Sequence, residues 1–126
     1  MPKPALPRPT DAELAILRVL WQRGPSTVRQ VLEATGEETG YTTVLKFLQI
    51  MTEKGLVTRD DAERTHVYQA SLPEASTQRQ LIADLLERAF SGSASKLVLQ
   101  ALSAKKASTQ ELKEIRKLLD KMEGKS

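Results

Sequence analysis

Between Tyr41 and Glu53 the chain sets Thr42, Lys46, Gln49 and Glu53 three or four residues apart, with Thr43 and Ile50 beside them. On a helix this spacing makes one outward stripe, because successive residues step by 100° around the axis. Such a stripe is either an ordinary solvated helix face or, where three helices and a hairpin surround it, one with the chemistry of groove recognition. A lysine reaches guanine acceptors or a phosphate, a glutamine pairs bidentately with adenine, threonine hydroxyls bond either, and isoleucine meets a thymine methyl. Tyr41, Thr42, Thr43, Lys46, Gln49 and Ile50 are therefore the candidate DNA-reading residues. Cysteine is absent and His66 is the single histidine. With no Gly-rich phosphate loop and no carboxylate pair in a pocket-forming context, an enzyme is not expected. No cofactor or metal is expected either, since His66 has no companions at ligand spacing and reads as part of a strand.

Further cations stand elsewhere in the first 70 residues. Arg64 sits in a turn, where it would contact a phosphate or the minor groove, and Arg59 lies close by. Asp60, Asp61 and Glu63 accompany both arginines. Those acids offer the alternative of pairing with them and leaving the turn idle. Ser26, Thr27 and Arg29 open a short helix whose free N–H groups suit phosphate, although capping accounts for Ser26 or Thr27 equally well.

The elements that must hold these residues are legible in turn. Thr10-Asp-Ala-Glu13 is a capping box, followed by Leu14, Leu17, Leu20 and Trp21 at helical spacing, and Gly24-Pro25 ends that helix. Trp21 is expected in the core. Val28, Val31 and Leu32 mark a second helix that stops at Gly36, and the polar stretch 37–40 leads to a third, Tyr41 to Lys54. Val44, Phe47, Leu48 and Met51 form its inward side, and Gly55 ends it. The period then changes to strand, turn and strand over 56–59, 60–64 and 65–70. Such a hairpin is marginal alone and has to pack on the helices. Three helices and a hairpin in this order make a winged helix-turn-helix, so the fold class is mainly α with a small β-hairpin.

Beyond Pro73 the pattern is helical throughout. Leu81, Ile82, Leu85, Leu86 and Ala89 lie on a segment from Glu74 to Phe90, and Ser91–Ser95 breaks it. The apolar run 97–102 follows, and a second capping box, Ser108-Thr-Gln-Glu111, opens a helix bearing Leu112, Ile115, Leu119 and Met122. These segments hold too few apolar side chains for a core of their own, and a second copy of the chain would supply the missing half. Leu81, Leu85, Leu86, Val98, Leu99, Leu102, Leu112, Ile115 and Leu119 are accordingly the candidate dimerisation residues. The expected organisation is a flexible tail over 1–9, a DNA-binding domain over 10–72 and a helical dimerisation region over 73–126. The tail holds four of the six prolines; Lys3 and Arg8 would reach into a groove as an arm or, the preferred reading, belong to a loose tail.

Charge alone does not suggest DNA. Of the net +3, residues 1–70 contribute nothing, with nine basic and nine acidic side chains, and residues 71–126 contribute all of it. A DNA-binding face must therefore gather its cations by placement. The N-terminus has no apolar run of signal-peptide type, and no stretch approaches the ~18 apolar residues of a membrane span. A cytoplasmic protein without membrane insertion is expected, and the lack of cysteine fits a reducing compartment.

Residues 10–21 (Thr-Asp-Ala-Glu-Leu-Ala-Ile-Leu-Arg-Val-Leu-Trp), 41–48 (Tyr-Thr-Thr-Val-Leu-Lys-Phe-Leu) and 53–57 (Glu-Lys-Gly-Leu-Val), with the hairpin and Lys96-Leu-Val-Leu, resemble the penicillinase-repressor family of BlaI/MecI/CopY type. The resemblance runs from about Thr10 to the last helix. It implies a homodimeric repressor on an inverted-repeat operator in double-stranded DNA. In antibiotic-responsive members a sensor-linked protease triggers cleavage that weakens the dimer, and by position that site falls at Gln100–Ala101. The chain departs there from the Asn-Phe pair those members carry. Copper-responsive members carry a C-terminal cysteine motif that this chain lacks. The open alternative is a winged helix that binds proteins and has no specific DNA, since a fold does not fix a function.

Overall fold

A computed structural model of the chain describes residues 8–124. The expected flexible tail and the Lys3 arm fall mainly on residues 1–7, outside that range; Arg8 is exposed and Pro9 is buried. The chain divides into two compact units, one up to Ile82 and one from Ala83 onward.

The first unit opens with α1 (Asp11–Arg23), which begins where the capping box requires. Thr10 Oγ1 accepts from the Glu13 N–H, and Glu13 Oε1 accepts from the Thr10 N–H. A second capping box starts α2 (Val28–Thr35), with Thr27 as the N-cap and Gln30 as its partner. The choice left open between Ser26 and Thr27 thus falls on Thr27. Ser26 instead pairs with Tyr68 by two backbone hydrogen bonds of 2.8 and 2.9 Å, acting as a one-residue third strand. A single 3₁₀ turn, Glu37–Thr39, leads into α3 (Tyr41–Lys54). Gly55 closes α3 in the left-handed conformation (φ 83°), a backbone state that favours glycine.

Strands β1 (Val57–Asp60) and β2 (Val67–Ala70) pair antiparallel, with Val57 opposite Ala70 and Arg59 opposite Tyr68. Their hairpin is the wing. It is held as a two-stranded sheet must be, by packing: Val57 and Tyr68 join Ile16, Leu17, Leu20, Val31, Val44, Leu48 and Met51 in one core. Leu48, Met51 and Val31 are fully enclosed. Helical phase alone puts Phe47 on the inward side of α3. It lies on the flank, half-buried, packed on the core edge. Trp21 is likewise at the rim, its indole N–H donating to the Leu72 carbonyl at 3.0 Å.

Among the described residues, one charged side chain sits inside this unit. Glu13 is 2% exposed and accepts from Lys54 Nζ at 2.9 and 3.1 Å. The pair joins the start of α1 to the last turn of α3 and so fixes the pitch of α3. Burial pushes the Glu13 carboxyl up, but the Thr10 N–H and the Lys54 ammonium outweigh it and hold the pKa below 4.5.

From Pro73 the chain continues as α4 (Glu74–Ala89), which passes from the first unit into the second. The second unit adds α5 (Ala94–Ala104), capped by Ser93, and α6 (Thr109–Met122), started by the Ser108–Glu111 capping box. None of its described residues is buried. Leu85, Val98, Leu99, Leu102, Leu112, Leu118, Leu119 and Met122 are all exposed, and Ile115 is half-buried.

Candidate nucleic-acid interface

Helix α3 rests on its inward residues Val44, Leu48 and Met51, so its opposite side faces solvent. Thr42, Lys46, Gln49 and Glu53 are exposed along that side, as the 100° step requires. The start of α3 also differs from the other capped helices. Gly40 precedes it with no side-chain cap, so no side chain covers the orphan N–H groups of the first turn.

To one flank of α3 opens a cleft of about 690 Å³. Three elements line it. Thr27, Val28 and Arg29 come from the start of α2, Tyr41, Leu45 and Gln49 from α3, and Arg59, Arg64, Thr65, His66 and Tyr68 from the wing. Five of the sequence-expected DNA residues, Thr27, Arg29, Tyr41, Gln49 and Arg64, are thereby brought together. The Arg29 guanidinium lies over the Tyr41 ring, 5.7 Å from its centre, a cation–π contact that orders both side chains. On the other flank Thr43, Lys46, Phe47 and Ile50 surround a smaller, mostly apolar hollow of about 220 Å³. Thr42 lies on the outward face, in neither recess. Ser26 is brought into neither: it is 2% exposed and its hydroxyl donates to the Gly24 carbonyl at 2.8 Å.

The cleft contains residues that the sequence reading missed or set aside. Arg59 belongs to it because strand alternation puts it on the same face as buried Val57, directly across from Tyr68. That alternation is the signal that would have found it. Arg59 bonds Asp61, Nε to Oδ1 at 2.8 Å and a terminal nitrogen to Oδ2 at 3.2 Å. The hydrogen bond and charge of Asp61 push its pKa up. His66 Nε2 stands 3.6 Å from the same Asp61 oxygen. Arg64 has no ion pair among the described residues. The Tyr68 hydroxyl is buried without a hydrogen-bond partner. Tyr68→Phe is therefore expected to leave stability unchanged or raise it slightly, since a buried unpaired hydroxyl gains nothing from its burial. A loss above about 1 kcal/mol in urea unfolding would reveal a partner for that oxygen.

Among the described residues no group of three or more His, Asp or Glu gathers as a metal site, and no helix is long and apolar enough to cross a membrane. The family model of the penicillinase repressor matches residues 9–121, covering both units. The chain belongs to the penicillinase repressor family. It is similar to the penicillinase repressor of Bacillus licheniformis, 22% identical over 117 residues and 91% of each chain. It is 42% identical over 66 residues to the transcriptional regulator BlaI of two strains of Mycobacterium tuberculosis, a match spanning 50% of this chain and 48% of that protein. It also resembles the solution structure of apo-NmtR, with 32% identity, a TM-score of 0.42, and coverage of 64% and 60% of the two chains. Membership in the penicillinase repressor family and the helix–helix–helix–hairpin fold together support a winged-helix, DNA-binding transcriptional regulator. The relatives it matches are named as a repressor and a transcriptional regulator.

Proposed function

We propose that the chain is a sequence-specific repressor that binds an inverted-repeat operator as a homodimer, with α3 in the major groove of each half-site. The observation that carries this reading is convergence. Thr27, Arg29, Tyr41, Gln49 and Arg64 come from three elements and meet beside the outward face of α3. A region with no net charge thereby acquires a local cationic surface, which is what binding to phosphate needs.

Lys46, Gln49 and Thr42 read base edges, Ile50 and the Thr43 methyl meet thymine methyls, and Arg29 and Arg64 hold backbone phosphates. Thr27 contributes mainly by capping α2, and Ser26 by supporting the wing from behind. Residues 10–72 form the DNA-binding part and 73–126 the dimerising part. The uncovered apolar side chains of α4, α5 and α6 are the support for self-association, since a surface this apolar calls for a partner. Ile115, Leu81 and Leu86 are half-buried within one chain and complete that surface. Cleavage between Gln100 and Ala101 by a sensor-linked protease would cut α5 between Leu99 and Leu102, in the middle of that surface, and release the operator. Action on an operator places the protein in the cytoplasm.

Lys46→Ala is expected to weaken operator binding about tenfold or more while leaving the melting temperature nearly unchanged, because Lys46 is exposed. Fluorescence anisotropy with a duplex from the region upstream of the gene measures it. Unchanged affinity would remove Lys46 from the interface. The rival reading, a protein-binding winged helix, draws on the zero net charge of residues 1–70. It requires DNA binding that is weak and indifferent to sequence.

A further inference from the structure

The wing cleft holds more cationic capacity than the free protein uses. Arg29, Arg59 and Arg64 all line it, yet Asp61 is the one acid that pairs with any of them among the described residues. That pairing is bidentate, two guanidinium nitrogens on two carboxylate oxygens at 2.8 and 3.2 Å. The same fork geometry serves a phosphate. The pair is also exposed, 39% for Arg59 and 52% for Asp61, so opening it costs little. Beside it stands Tyr68, almost wholly buried, with its hydroxyl unpartnered. The neighbouring acids are engaged differently: Asp60 accepts the Ala62 N–H and shapes the turn, and Glu63 makes no ion pair among the described residues.

We infer that the cleft between α2, α3 and the wing seats one phosphodiester group of the DNA backbone, and that Asp61 competes with it internally for Arg59. This rests on the DNA-binding reading above. In the free chain Asp61 holds Arg59 preformed in a fork. On binding, a phosphate oxygen pair replaces the carboxylate, with Arg29 and Arg64 on either side. Asp61 thus lowers affinity for every sequence alike and leaves discrimination to α3, because a phosphate contact carries no base information.

A phosphate seat is blind to sequence, so a random-sequence duplex is a sufficient probe beside the upstream duplex. Full-length Asp61→Asn, Glu63→Gln, Arg59→Ala and the Asp61→Asn/Arg59→Ala double variant are titrated across a salt series, with melting curves to verify folding. Asp61→Asn should bind both duplexes roughly fivefold more tightly at low salt. Its log–log salt slope should stay close to the parent's, because both complexes make the same Arg59–phosphate contact, whereas loss of Arg59 should flatten the slope by about 0.9. Glu63→Gln, which removes an equal charge from the same turn, should do distinctly less. Arg59→Ala should weaken binding, and Asp61→Asn should add nothing in that background. Equal effects of Asp61→Asn and Glu63→Gln, or an advantage that persists without Arg59, would reduce Asp61 to a diffuse charge and overturn the exchange. Displacement of the duplex by inorganic phosphate beyond its ionic-strength effect would assign the seat to a free anion and overturn it too. A parent chain that binds neither duplex in a salt-dependent way would overturn the DNA-binding reading itself, whereas salt-dependent binding with a silent Asp61→Asn sinks the exchange alone.

Discussion

Replacing Leu85 with Asp is expected to leave a folded chain that no longer dimerises and binds its operator at least about a hundredfold more weakly. Leu85 is 40% exposed on α4, so the single chain loses little packing by the change. The penalty falls on association. An aspartate in an apolar interface must be desolvated without a partner, which costs several kcal/mol or prevents the contact altogether. Affinity follows because a dimer engages its second half-site at a high effective concentration, and a monomer forfeits that gain without losing any contact to the first. Sedimentation velocity and operator titration on the same sample separate the two effects. Binding to a random duplex, in which each winged helix acts alone, should change far less. If the variant sediments as a dimer, the interface lies elsewhere and the exposed residues of α5 and α6 become the surfaces to test.

Glu13→Ala is expected to cost about 1–3 kcal/mol of unfolding free energy. It unpairs the Thr10 N–H at the start of α1 and strands the Lys54 ammonium at the end of α3. The range is set below that of a fully enclosed pair because Lys54 is 32% exposed. The pH dependence has a definite sign. Because the folded carboxyl titrates below its ordinary 4.5, its contribution is present above that value and fades as pH falls through the folded pKa. The stability difference between the parent and Glu13→Gln should therefore be largest near neutrality and shrink on acidification below 4.5. A difference that stays constant through the acid range would show that shape, not charge, is what Glu13 supplies. Loss of the pair also loosens the end of α3, so operator affinity should fall with stability.

Local signals carried most of the element boundaries. Both ends of α3 were legible, and so were the capping boxes at Thr10 and Ser108, because each depends on residues within four positions. Contacts distant in sequence were not. The Thr10–Glu13 spacing announces a cap, but nothing near it says that Lys54, forty-one residues on, buries the carboxylate. Ser26 looked like a cap or a phosphate ligand, and its pairing with Tyr68 became visible only once the wing folded back on α2. Phe47 shares a helical side with Leu48 by phase alone, yet the core is narrow enough to leave it at the flank beside Ile50. The proposed DNA face is only partly visible in the sequence. Helical phase brings out the α3 stripe, whereas the cleft needs the hairpin register that sets Arg59 across from Tyr68. In the C-terminal unit the helices were legible from periodicity, but their apolar side chains stay exposed within one chain, and periodicity alone does not say what covers them.

The central claim is specific operator binding. The direct measurement is a titration of the purified chain against the intergenic DNA upstream of its own gene, at two salt concentrations, with random DNA as competitor. The expected result is saturable binding that survives the competitor and weakens steeply as salt rises. Binding no stronger than to random DNA, or indifferent to salt, would contradict the account and leave the winged helix as a surface for a protein partner.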